Sequence, residues 1–137
     1  MSENQKIKRS MRDLGNALGR FEKMLTISTD DRDYALDATI QRFEFSFELF
    51  WKTLRLLLAD VVGNQVDGPR PVLIEAYAQG WIDDESMWLS LLKARNLTSH
   101  VYNEQRAQEI YEMIQLHGPV MITTYAKLKD RFSDYLV

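Results

Sequence analysis

The sequence contains no cysteine, which excludes disulfide bonds, thiolate catalysis and cysteine-ligated zinc. Its 2 histidines lie far apart in the chain, so we predict no metal site and no other cofactor. No apolar run approaches the roughly 20 residues that a membrane-spanning helix needs. The first residues lack the apolar core of a signal peptide. We therefore expect a cytoplasmic protein that does not associate with a membrane.

Proline and glycine are also scarce, with 3 and 6 residues in a chain of 137. They cluster at Gly63 to Pro71, at Gly80 and at Gly118-Pro119, and the long stretches between them favour helices. The length fits one domain that spans residues 1–137. A net charge of -3 and a pI near 5.4 argue against a surface that binds nucleic acid everywhere, but a small basic site is compatible with them.

Apolar residues spaced alternately by four and three positions predict two long helices. The first runs from about Lys6 to about Leu25, and its stripe consists of Ile7, Met11, Leu14, Leu18, Phe21 and Leu25. The second begins near Asp31, and its stripe consists of Leu36, Ile40, Phe43, Phe47, Phe50, Leu54, Leu57 and Val61. Further apolar residues on its other faces, among them Phe45 and Trp51, indicate burial on two sides, in a central position or in a subunit interface.

The rest of the chain predicts a short helix from Pro71 to Gln79, capped by Gly80, and a helix with acidic residues at 83–85 in its first turn. Asn103 is a suitable N-cap for a last helix, which Gly118-Pro119 should kink or restart. We therefore predict an all-α fold, an antiparallel up-and-down bundle of four long helices and a short one.

The side chains whose spacing suggests a catalytic or binding role lie between positions 93 and 104, on the helix that begins near residue 83. Trp88 and Leu92 start an apolar stripe that continues with Arg95, Ser99 and Tyr102. An arginine on an inward stripe costs stability unless it is paired or lines a water-filled cleft. One interpretation is therefore that Arg95 is there because the function of the protein requires it. The alternative is that the stripe simply leaves the core at this point.

Five positions separate Arg95 from His100, which corresponds to a rotation of about 140° on a regular α-helix. The two side chains cannot share one face of a straight helix, and His100 lies on the side of Asn96. For them to act together, the helix must bend or end near Thr98-Ser99, or a second copy of the chain must complete the cleft. The second route predicts a dimer.

Glu44 and Glu48 lie one turn apart among aromatic residues of the second helix. A carboxylate in such surroundings is costly unless a donor meets it. Either the two residues form a solvated edge of the helix, or one of them orients an arginine from another helix.

Two segments, residues 40–54 and residues 95–104, resemble the HEPN superfamily and, within it, the nucleotidyltransferase substrate-binding proteins. The region from Pro71 to Asp84 is also similar, so the resemblance covers most of the chain. Phe50 stands where that family more often has a small residue. The resemblance implies a homodimeric helical bundle that is encoded beside a small nucleotidyltransferase.

Many HEPN proteins are metal-independent ribonucleases, often toxins, in which the motif arginine and histidine of both subunits meet in one cleft. The resemblance thus assigns catalysis to Arg95 and His100. In HepT-like toxins the partner nucleotidyltransferase adds AMP to a tyrosine two positions after the histidine, which corresponds to Tyr102. These roles are what the resemblance implies.

RNA cleavage by the neighbouring 2′-hydroxyl is the chemistry that these residues suit. His100 can act as base or acid near neutral pH, and Arg95 can bind the phosphate and offset its charge. Supporting or substrate-binding roles fall to Asn96, Ser99, Tyr102 and Glu48. Two alternatives stay open: a non-catalytic substrate- or nucleotide-binding subunit of a two-component nucleotidyltransferase, and an interaction module that only dimerises.

Overall fold

The computed structural model describes residues 2–26, 32–100 and 103–136, and the part of the chain so described holds α-helices but no β-strand. Its helices are α1 Glu3–Thr26, α2 Arg32–Leu57, α3 Pro69–Ala78, α4 Glu85–Leu97, α5 Glu104–His117 and α6 Pro119–Arg131. A π-helical turn, Leu58–Val62, extends α2, and 3₁₀ turns occupy Thr98–His100 and Ser133–Tyr135. The predicted all-α fold is confirmed. None of these helices is both long and apolar enough to cross a membrane.

Helices α1 and α2 pack along each other in opposite directions. The hydroxyls of Ser10 and Thr53 share a hydrogen bond, and further along the pair the Phe21 and Phe43 rings lie 6.2 Å apart. As residue numbers rise along α1, those of their contacts in α2 fall. This pair forms the main seam of the core, where most residues of the two predicted stripes are buried.

Helix α4 runs antiparallel to α2 on another side of that helix. At its first half the Trp88 ring lies 4.7 Å from the Phe50 ring, and at its end the Thr98 hydroxyl donates to Glu44 Oε2. Helix α6 is held against α1 by the Tyr125 hydroxyl, which donates to Met11 O at 2.9 Å. Burial at this contact raises the pKa of the Tyr125 phenol.

Two predicted elements begin or end differently in the structure. The acids at positions 83 and 84 precede α4, because the Asp84 side chain accepts the Met87 N–H at 3.0 Å and thereby caps the helix. Val61, placed on the buried stripe of the second helix, is 38% exposed. The π-helical turn inserts an extra residue into the backbone register there and rotates Val61 out of the stripe.

The last predicted helix is divided at Gly118, so the restart occurs and α6 begins at Pro119. A Cβ atom on Gly118 would lie 2.4 Å from Ile114 O and 2.7 Å from Phe21 Cζ, which is too close for any side chain. Glycine therefore lets the junction of α5 and α6 press against α1.

Candidate functional site

The segment from Arg95 to His100 forms the end of α4 and its 3₁₀ extension. The regular α-helix ends at Leu97, and the Thr98 N–H bonds to Arg95 O. The Thr98 hydroxyl lies 2.6 Å from Arg95 O and 2.7 Å from Glu44 Oε2, so it joins the end of α4 to α2. The regular helix thus ends near Thr98, which was one of the two conditions for Arg95 and His100 to act together.

Arg95 turns toward α2 and forms an ion pair with Glu48 Oε1. Its Nη1 donates to Asn96 Oδ1 at 3.1 Å, and 30% of its side chain is exposed. The inward arginine is therefore paired, which is one of the two conditions that offset its cost at this position. The hypothesis that Glu48 contacts an arginine from another helix is confirmed.

The Glu48 carboxylate is held by groups from its own helix as well as from α4. Trp51 Nε1 donates to Oε2 at 3.1 Å, and Lys52 Nζ lies 3.7 Å from the same oxygen. Three quarters of the Glu48 side chain is buried, so these ion pairs lie in a partly desolvated position between α2 and α4. Their main effect is geometric, since they fix the guanidinium of Arg95 at the end of α4.

His100 opens to a different side of α4. It lines a groove of about 460 Å³ between α3 and α4, together with Arg70, Lys93 and Asn96, and Arg95 does not line that groove. Arg95 and His100 thus have different surroundings, the Glu48 carboxylate for Arg95 and the groove for His100.

The remaining predicted site residues occupy distinct positions. Asn96 links the ion pair of Arg95 to the groove, because its side-chain oxygen Oδ1 accepts from Arg95 and its side chain also lines the groove. Ser99 is exposed and its hydroxyl donates to Asn96 O at 3.2 Å, so it has left the inward stripe that the regular spacing predicted. The change from α to 3₁₀ geometry after Leu97 accounts for this. Tyr102 lies outside the described residues.

Three residues join this site without having been predicted for it. Trp51 follows Glu48 by three positions, a spacing that already places the two on one helical face. Thr98 and Arg70 reach the site from a helix end and from α3, and their roles depend on packing that no local pattern reveals.

Comparison with known proteins agrees with this architecture. The sequence profile of a family described as nucleotidyltransferase substrate binding protein like matches residues 9–130. A Haemophilus influenzae protein named "Probable ribonuclease HepT" is 34% identical over 87 residues, and the match spans 61% of this chain and 60% of that relative's length. A crystal structure of a Thermus thermophilus protein has a TM-score of 0.77 and 29% identity, and it covers 85% of this chain and 98% of its own. The chain belongs to the family of nucleotidyltransferase substrate binding protein-like proteins.

Proposed function

We propose that this chain is a HepT-like, metal-independent endoribonuclease of the toxin type, paired with a small nucleotidyltransferase as its antitoxin. The observation that carries the proposal is the end of α4, where Glu48 anchors the Arg95 guanidinium and the 3₁₀ turn places His100 on the rim of a groove with basic residues. The distant homology to a HepT ribonuclease supports the same activity.

The reaction is an attack of the 2′-hydroxyl on the adjacent phosphorus. His100 accepts the hydroxyl proton or delivers a proton to the leaving 5′-oxygen, so that a cyclic phosphate and a free 5′-hydroxyl result. Arg95 offsets the negative charge that develops on the phosphoryl oxygens, with its guanidinium held in place by Glu48. Asn96 and Ser99 position the phosphate or the imidazole. Tyr102 is the residue proposed to receive AMP from the nucleotidyltransferase.

A homodimer completes this active site. Within one chain Arg95 and His100 face different sides of α4, so a second copy must supply the partner group for each cleft. Phe45 supports this arrangement, because 56% of its side chain is exposed on α2 one turn before Glu48. An apolar side chain beside the site is better suited to a subunit interface than to water.

The substitution Phe45→Glu is expected to weaken the dimer by at least about 30-fold, because a carboxylate would have to be desolvated at the centre of the interface. Sedimentation velocity over a dilution series measures the change, and RNA cleavage should fall in parallel. Leu116→Glu is the matched control, since Leu116 is 74% exposed on α5 and its replacement should leave the dimer intact. A Phe45→Glu protein that dimerises like the wild type contradicts this interface.

A direct test of the function incubates the purified protein with RNA and a chelator, with and without the neighbouring nucleotidyltransferase and ATP. We expect chelator-resistant cleavage, and with the nucleotidyltransferase a gain in protein mass by AMP units that Tyr102→Phe abolishes. Absence of both results would contradict the proposal. It would favour the second candidate, a binding subunit of a two-component nucleotidyltransferase, which the acidic pI near 5.4 also fits.

A further inference from the structure

The groove between α3 and α4 has the features of a ligand site in its own right. Its apolar wall consists of Leu89, Leu92 and Leu97, and its polar rim consists of Arg70, Lys93, Asn96 and His100. Among the described residues, no carboxylate lines it. Its volume of about 460 Å³ lies within the range of small-molecule sites in proteins, roughly 300–1,000 Å³.

The charge of this groove is opposite to that of the whole protein. The chain carries a net charge of -3, yet Arg70 from α3 and Lys93 from α4 both line the groove. Both side chains are exposed, and in residues 2–26, 32–100 and 103–136 neither forms an ion pair with a carboxylate. Two cations that form no ion pair attract an anion, and a guanidinium and an ammonium both suit phosphate.

The apolar wall and the amide restrict the ligand further. An anion alone would gain nothing from three leucines, whereas the flat face of a nucleobase can lie against them. Because Asn96 Oδ1 accepts from Arg95, the side-chain NH2 group of Asn96 can donate to acceptors on a base edge. A base can lie in such a groove only when it is unpaired, as in single-stranded RNA.

We infer that the groove between α3 and α4 is a nucleotide subsite, which holds one unpaired nucleotide of the RNA substrate beside the bond that His100 helps to cleave. The base lies on the leucine wall, and Arg70 and Lys93 bind its phosphates. The identity of this ligand as part of a substrate depends on the proposed ribonuclease function. Arg70 is then a substrate-binding residue that lies outside the motif around Arg95 and His100.

The test is binding of fluorescent single-stranded RNA that is 2′-O-methylated, and therefore not cleaved, to the full-length protein. Arg70→Ala and Lys93→Ala should each raise Kd roughly tenfold and lower the slope of log Kd against log salt by about 0.7, the value of one phosphate contact on a single strand. Arg20→Ala, which removes an exposed cation of α1, should change neither quantity. Wild-type Kd and slope in both groove variants would overturn the inference.

Two further measurements separate this inference from the proposed function. With cleavable RNA, Arg70→Ala should raise KM and retain kcat, since it removes binding and not chemistry. If His100→Ala abolishes cleavage while Arg70→Ala leaves Kd and KM unchanged, the subsite fails and the ribonuclease stands. If no protein cleaves RNA but the groove variants still weaken binding, the ribonuclease fails alone. Binding of free AMP as tight as that of RNA, with the same dependence on Arg70, would overturn the assignment to an RNA substrate.

Discussion

The substitution His100→Ala is expected to lower the rate of RNA cleavage by a factor of about 10² to 10⁴ while the protein remains folded. The imidazole is the group of this site that can both accept and deliver a proton near neutral pH. Its removal leaves Arg95 and the ion pair with Glu48 in place, so binding of the phosphate should be largely retained. His100 is exposed on the short 3₁₀ turn, so few contacts of the core depend on it.

The measurement is a single-turnover rate with RNA in the presence of a chelator, together with a thermal melt of each variant. His117→Ala is the matched control, because it removes the other histidine at the end of α5, outside the groove, and should cleave like the wild type. Full cleavage by His100→Ala would remove this residue from the mechanism. Equal losses in both variants would point to a general effect on the fold.

The helices and their buried faces could be predicted because their pattern is local. Ile7, Phe21 and Phe43 fall on regular stripes, and the structure buries each of them. What the pattern missed are changes of backbone register. The π-helical turn near Val61 and the capped start of α4 at Glu85 depend on hydrogen bonds that a periodicity of apolar residues does not encode.

For the candidate site as well, local helix geometry could be predicted from the sequence, whereas contacts between helices could not. Helix geometry predicts that Arg95 and His100 point apart, and in the structure Arg95 pairs with Glu48 while His100 lines the groove. The sequence offered Glu44 or Glu48 as a contact for an arginine of another helix, but the pairing of Glu48 with Arg95 depends on how α4 packs against α2. Arg70 lines the groove only because α3 packs against α4, and no spacing in the sequence predicts that packing.

Packing between α2 and α4 also leads to the largest expected effect on stability, for the substitution Trp88→Ala. Trp88 is fully buried and its ring lies 4.7 Å from that of Phe50. Removing the indole leaves a cavity, which should lower the free energy of unfolding by about 3–5 kcal/mol. Urea denaturation followed by circular dichroism measures this loss.

The control is Trp88→Phe, and its expected effect is small for a specific reason. Trp88 Nε1 is buried and has no acceptor among the described residues, so the wild-type protein already bears the cost of an unsatisfied donor, about 1–3 kcal/mol. Phenylalanine removes that donor while it keeps most of the contact with Phe50, so the gain offsets the lost volume to within about 1 kcal/mol. A loss in Trp88→Phe as large as that in Trp88→Ala would show that the indole nitrogen is satisfied in solution. Helix α4 also positions Arg95 against Glu48. We therefore expect Trp88→Phe to retain RNA cleavage and Trp88→Ala to cleave more slowly, even at temperatures at which Trp88→Ala is still folded.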